Sequence, residues 1–335
     1  MTTLPQALDE YLALRQAMGF AVRDARRLLR RFIDFLEQHR ATSITSALAL
    51  SWATEPHAAQ PAEWSRRLSL IRGFARYRSA TDPRTQIPAA GILPYRPQRV
   101  APYLYSDTEI EQLLQAAAQL PSPTGLRAHT YVAAFGLLAV TGLRVAELVA
   151  LDDQDTDLTR GHVTIRRGKF GKSRLLPVHP TTQQALRHYV AARDRCYPIP
   201  QSPSFLVSEQ GARLTHWSLR VSRAPCSETR KLGARLTHWS LRATFVALSR
   251  QIGLRGPADS HGPRLHDLRH RFAVEALLRW YRQGADVERH LPELSTYLGH
   301  VKVADTYWYL SATPELLQLA LDRLEHSPPP QGVGS

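Results

Sequence analysis

The chain has 335 residues, 43% of them hydrophobic and 21% charged, which excludes wholesale disorder and fibrous or collagen-like architecture. Lys+Arg number 43 against 29 Asp+Glu, a formal net charge of +14 that points to a polyanion as partner. Two cysteines, Cys196 and Cys226, are too few for a disulfide framework or a four-thiolate zinc site. Only four of the 43 basic residues are lysines (Lys169, Lys172, Lys231 and Lys302), so 39 are arginines, whose planar fork of donors suits phosphate oxygens. The richest apolar stretch, Tyr131–Val140, falls short of the ~18 residues a membrane span needs. The N-terminal Met1-Thr-Thr-Leu-Pro-Gln lacks the basic-then-apolar layout of a signal peptide. The expectation is a soluble cytoplasmic, nucleoid-associated protein with no membrane partner.

At roughly 100–200 residues per domain, the length predicts two domains. Residues 1–98 read as helices and form the first. Leu28, Phe32, Phe35 and Leu36 recur at helical spacing, with Arg26, Arg27 and Arg30 on the other faces, and Trp64–Arg78 repeats the design with Arg66, Arg67 and Arg72. This segment holds 14 Arg and 8 Asp+Glu, a net of +6, and those six arginines are the candidate DNA-facing set. A proline-rich stretch from Pro88 to Pro102 interrupts the pattern, which places a linker at 99–104.

The second domain is expected over 105–325. Ser106-Asp-Thr-Glu109 has capping-box spacing and opens a helix through Leu113-Leu114. A buried apolar helix at 130–140 follows. Alternating His162–Arg166 and the run Ser173–Val178, joined through Gly168-Lys-Phe-Gly-Lys172, read as a β-hairpin. Helical patterns resume at 181–193, 239–253, 266–282 and 314–324, and the tail 326–335 is expected to be disordered. Gly-Ala-Arg-Leu-Thr-His-Trp-Ser-Leu-Arg occurs at 211–220 and again at 233–242. Leu241, Phe245, Leu248 and Ile252 continue the second copy as an apolar stripe, whereas Pro225 stops any helix after the first. The second copy therefore reads as the packed one, with 211–232 as a looped-out insertion.

Two motifs mislead. Gly168-Lys-Phe-Gly-Lys-Ser173 ends like a phosphate-binding loop, but Arg166 stands where its first glycine belongs. His266 and His270 have zinc-ligand spacing, but the glutamate of H-E-x-x-H is missing and Arg269 and Arg271 would repel a cation.

What remains is an ordered series: Thr141-Gly-Leu-Arg144-x-x-Glu147-Leu, the Gly-Lys hairpin, His266-x-x-Arg269, Leu298-Gly-His300, and Tyr309 nine residues later. In that order and spacing the chain resembles the tyrosine recombinase (phage integrase) family, from about residue 105 to 325. The N-terminal part resembles that family's core-binding domain less closely, and the segment from Thr306 to Glu315 resembles transposon-borne integrases. The resemblance implies a mainly α fold: an all-α, SAM-like core-binding domain, then an α+β catalytic domain with a small antiparallel sheet. It implies Arg144, Lys169, His266, Arg269, His300 and the nucleophile Tyr309 as catalytic residues, with Glu147 in support. Tyr307, a second tyrosine, and the duplication depart from the family pattern.

Those residue types fit phosphoryl transfer to tyrosine. A tyrosine oxygen can hold a broken phosphodiester as a covalent 3′-phosphotyrosine, so rejoining needs no cofactor or ATP. Arg144 and Arg269 would clamp the phosphoryl oxygens, Lys169 would protonate the leaving 5′-oxygen, and the histidines would assist; no metal is expected. The implied partners are double-stranded DNA and a homo-tetramer on two DNA sites, or a hetero-assembly with related recombinases. The segment after Tyr309, with Leu316, Leu317, Leu319, Leu321 and Leu324, would pack on a neighbour. The rival readings are a type IB-like topoisomerase and a non-catalytic DNA-binding protein.

Overall fold

The computed structural model describes residues 2–20, 22–57, 59–93, 101–166, 173–200, 202–209, 238–259, 262–311 and 313–326. The chain divides into two compact units, 1–100 and 101–335. Among the described residues, no helix is long and apolar enough to cross a membrane.

The first unit is helical throughout: α1 (Leu4–Ala17), α2 (Arg23–Gln38), α3 (Ser46–Thr54) and α4 (Pro61–Arg78). A capping box at Thr3 and Gln6 and proline in the first turn start α1. The apolar stripe predicted for α2 is buried at Leu28, Phe32, Phe35 and Leu36, and meets Leu8, Leu12, Trp52, Ile71 and Phe74.

In the second unit the capping box at Ser106 and Glu109 forms as predicted and starts α5 (Asp107–Ala118). Helix α6 (Leu126–Thr141) buries residues on most of its circumference, among them Tyr131, Phe135 and Leu138, and α5, α8 (Pro180–Cys196) and α10 (Leu265–Arg282) pack on it. Only a stripe through His129 and Val140 stays exposed, which is why the sequence of this helix is almost wholly apolar after its first turn. The short α7 (Val145–Ala150) leads into an antiparallel sheet of β1 (Thr156–Asp157), β2 (His162–Ile165) and β3 (Arg174–Pro177), in the order β1-β2-β3. Val163 opposes Leu176, and both side chains point into the core with Ile165. The hairpin turn lies outside the described residues.

Helix α9 (His238–Gln251) carries the end of the second repeat copy: Leu241, Phe245 and Leu248 are buried and Ile252 packs beside them. The first copy and the insertion 211–232 lie outside the described residues. After α10 come α11 (Val287–Leu298), α12 (Ala304–Tyr307), a 3-10 turn over Trp308–Ser311 and α13 (Pro314–His326). The last helix packs on α10 of its own chain, with Leu316 buried and Leu319 partly so, while Leu317 and Leu321 are exposed.

Candidate active site

Gly142, at φ 59°, ends α6 in the left-handed region, where a Cβ would also stand 2.7 Å from the Phe272 ring. The turn it makes sets Arg144 at the N-cap of α7 and puts Glu147 one helical turn on. The Glu147 side chain folds back, so that Arg144 meets it twice: backbone N to Oε2 at 3.0 Å and Nη1 to Oε1 at 2.8 Å. Glu147 is only 7% exposed. Burial alone would raise its pKa, but hydrogen bonds and charge from Arg174, with Arg144, outweigh it and hold the carboxyl below its ordinary value. It remains ionised at neutral pH.

Helix α10 supplies His266, Arg269 and His270. Arg269 is 2% exposed and joins two distant loops, its Nη1 donating to Gly142 O at 2.7 Å and its Nη2 to Leu298 O at 2.6 Å. Burial, then the charge of Arg144, pull its pKa down to about 10, so it is still a cation at pH 7. His266 reaches solvent yet is partly desolvated, and this, with Arg269 nearby, lowers its pKa.

The C-terminus of α11 is where the guanidiniums converge. Three successive carbonyls accept from three arginines: Tyr297 from Arg174 Nε at 2.7 Å, Leu298 from Arg269, and Gly299 from Arg144 Nη2 at 3.0 Å. The negative end of a helix dipole and otherwise unpaired carbonyls make this a natural seat for cations. Gly299 lies at φ 69°, and a Cβ there would be 2.9 Å from Arg174 Nη1 and 3.3 Å from Arg144 Nη1. His300 Nδ1 stands 2.7 Å from Thr306 Oγ1. Burial, then Arg269 and Arg144, push the pKa of His300 down to about 4, which leaves it neutral at pH 7.

Tyr309 is 3% exposed, and its ring faces His270 (centroids 5.5 Å apart) and His300 (6.2 Å, nearly parallel). Tyr307 is 52% exposed, and Thr306 between His300 and the turn is fully buried. His270 also contacts His266 at 4.7 Å and Trp308 at 5.2 Å; burial and His266 lower its pKa to about 4. Beside Arg144 and His266 opens a cleft of about 410 Å³, lined also by Arg242, Phe245, Arg255 and Arg264. Among the described residues, no group of three or more His, Cys, Asp or Glu is placed to hold a metal ion.

Of the residues expected from sequence, Arg144, Glu147, Arg269, His300 and Tyr309 are thus linked through one network in the second unit, and His266 borders it. Lys169 lies outside the described residues. In the first unit the six arginines do not share one setting. Arg27, Arg30 and Arg66 hold Asp24, Asp9 and Glu63 respectively, and Arg66 also bonds Asp24. Arg67 lies 3.6 Å over the Trp52 ring, Arg72 bonds the carbonyls of Pro88 and Ala89, and Arg26 is half-buried. Arg174 is a member of the network that sequence reasoning did not single out, and His270 was noted there only as half of a misleading zinc-spaced pair.

The sequence profile of the phage integrase family matches residues 104–315, most of the second unit and the whole network. The chain belongs to the phage integrase family. It is a tyrosine site-specific recombinase by the same comparison and by its relatives. It is 48% identical to the integrase/recombinase y4rB of Sinorhizobium fredii over 329 residues, covering 97% of this chain and 98% of that protein. To the tyrosine recombinase XerD of Caulobacter vibrioides it is 29% identical, over 77% of this chain and 73% of the relative. In fold this integrase resembles the Tn1549 transposon integrase solved with transposon right end DNA, with a TM-score of 0.60, 16% identity, and 95% of this chain and 99% of that one covered. A lambda integrase dimer bound to a COC' core site superposes with a TM-score of 0.59 at 17% identity, over 93% of this chain and 78% of that one.

Proposed function

We propose that this recombinase cuts and rejoins duplex DNA through a 3′-phosphotyrosine on Tyr309, without metal or ATP. The observation that carries the reading is the convergence of Arg144, Arg269, His300 and Tyr309 from four separate segments around the C-terminus of α11. Residues 105–325 are the catalytic domain in this reading, and 1–98 are the core-binding domain. The arginines offered there to DNA are Arg26, Arg27, Arg30, Arg66, Arg67 and Arg72. The solved proteins of the same fold on transposon-end and core-site DNA support DNA as the partner. The cationic cleft of about 410 Å³ supports the same partner.

Tyr309 Oη attacks the scissile phosphorus, the bond to the 5′-oxygen breaks, and a 5′-hydroxyl leaves. Arg144 and Arg269 neutralise the phosphoryl oxygens as charge spreads over them, usually the largest catalytic contribution. His300, neutral and held by Thr306 through Nδ1, offers Nε2 to the phosphate, and His266 stands at the cleft to help move the tyrosine proton. Because Tyr309 is buried, the 308–311 turn must shift for Oη to meet the phosphate. A 5′-hydroxyl from a second duplex then reverses the step, and the exposed Leu317 and Leu321 of α13 are the surface offered to a neighbouring protomer in a tetramer.

A plasmid pair carrying the DNA that flanks the chain's own gene tests this reading. Recombinant junctions and a denaturant-stable adduct are expected, both persisting in a chelator. Relaxation without junctions would indicate a topoisomerase; cleavage lost in chelator would overturn the metal-free chemistry. Binding of the full chain to such DNA should weaken roughly 10³–10⁵-fold between about 50 and 200 mM salt, as counterion release from 6–10 phosphate contacts requires. An affinity indifferent to salt contradicts it.

Lys169 is the proposed general acid. Lys169→Ala is expected to slow cleavage roughly 10²–10⁴-fold, the usual loss for a missing acid. A 5′-sulfur leaving group, which needs no proton, should restore the rate; a variant that stays slow on that substrate would count against the role.

A further inference from the structure

We infer that Arg174 is a positioning residue for cleavage, setting the Arg144 guanidinium through the shared carboxylate of Glu147. This rests on the reading of Arg144 as a phosphate clamp. Arg174 opens β3, and its side chain is nearly buried. It grips Glu147 with both ends of its fork, Nη1 to Oε1 at 3.1 Å and Nη2 to Oε2 at 2.8 Å. With the two bonds from Arg144, each carboxylate oxygen then accepts two hydrogen bonds, which fills all of its acceptor capacity. The carboxylate has no freedom left to rotate.

That matters because Arg144 has little else to orient it. Its Nη1 is held by Glu147 and its Nη2 by Gly299 O. Arg174 controls both anchors: it fixes the carboxylate directly, and through Tyr297 O it fixes the end of α11 from which Gly299 O projects. Without it, Glu147 would be left with Arg144 as its only close cation among the described residues and would close on it as a two-pronged pair, turning the fork away from an incoming phosphate. A lysine cannot substitute, because one ammonium cannot span two carboxylate oxygens and a carbonyl in a fixed plane.

The test compares single-turnover cleavage of two nicked duplexes by the full chain. One has an ordinary scissile phosphodiester; the other carries a methylphosphonate, in which a methyl group replaces one non-bridging oxygen and removes the negative charge. A neutral phosphonate asks less of a cationic clamp. Arg174→Ala is therefore expected to lose about 10²-fold on the phosphodiester, the scale of a small misplacement of a catalytic group. On the methylphosphonate most of that loss should vanish, as it should for Arg144→Ala. Partial unfolding would lower both rates by the same factor, so the ratio of the two substrates reads positioning alone. Arg174→Lys should behave like the alanine variant. Equal losses on both substrates, or no loss on either, would overturn the role. If the unsubstituted chain itself cleaves neither duplex, the recombinase chemistry falls first and the role of Arg174 with it.

Discussion

Tyr309→Phe should abolish the denaturant-stable protein–DNA adduct on a nicked duplex, while Tyr307→Phe should form it at close to the unsubstituted rate. Both tyrosines carry the same phenol two positions apart, so composition does not choose between them. Geometry does. Residues two apart on a helix point about 200° from each other, and one phosphate cannot be within reach of both. Here Tyr309 turns inward onto the rings of His270 and His300, while Tyr307 is 52% exposed on the outer side. The nick lets the short 5′-ended strand diffuse away, so an adduct once formed is trapped. Phenylalanine preserves the buried ring contacts and removes only the oxygen, which separates loss of the nucleophile from loss of the fold. An adduct that survives Tyr309→Phe, or disappears with Tyr307→Phe, reverses the assignment.

Arg144, Glu147, His266, Arg269, His300 and Tyr309 could be picked out as candidates because each sits in a short local pattern, such as the glycine that ends α6 or the three-residue spacing on α10. Arg174 was not. It follows Ser173 at the start of a strand, and nothing local distinguishes it from any polar strand end; its meaning comes from Tyr297 O, 123 positions later. Helix α11 also escaped, because Pro292 inside it breaks the expected pattern. Burial of Leu291, Leu294 and Leu298 against α10 holds the helix together despite the lost hydrogen bond. In the first unit, charge was legible but pairing was not: the sequence shows the basic faces of α2 and α4, while Asp24, Asp9 and Glu63 bind three of their arginines. The apolar stripe after the second repeat copy was readable since Leu241, Phe245 and Leu248 meet one continuous core.

Arg269→Ala should cost far more in cleavage than in stability. Structurally, the substitution leaves Gly142 O and Leu298 O without their donor in a buried position, at about 1–3 kcal/mol for each unsatisfied group. Against that, it removes a cation that burial already disfavours, as the fall of its pKa to about 10 shows, and so part of the loss is recovered. The net change in unfolding free energy should therefore stay near the lower end of the about 2–6 kcal/mol that two such groups make together. Catalysis has no such offset. Losing one preorganised donor to developing phosphoryl charge typically costs about 10²–10³-fold. Arg269 also ties the turn that carries Arg144 to the turn that carries His300, so both partners shift when it goes. Arg269→Lys separates charge from span: the ammonium keeps the cation but cannot reach both carbonyls, and its cleavage rate should remain nearer to alanine than to arginine. Thermal melts alongside single-turnover cleavage decide the matter. A lysine variant with full activity would show that charge alone suffices; an alanine variant that melts early but cleaves normally would make Arg269 a structural brace and remove it from the phosphate clamp.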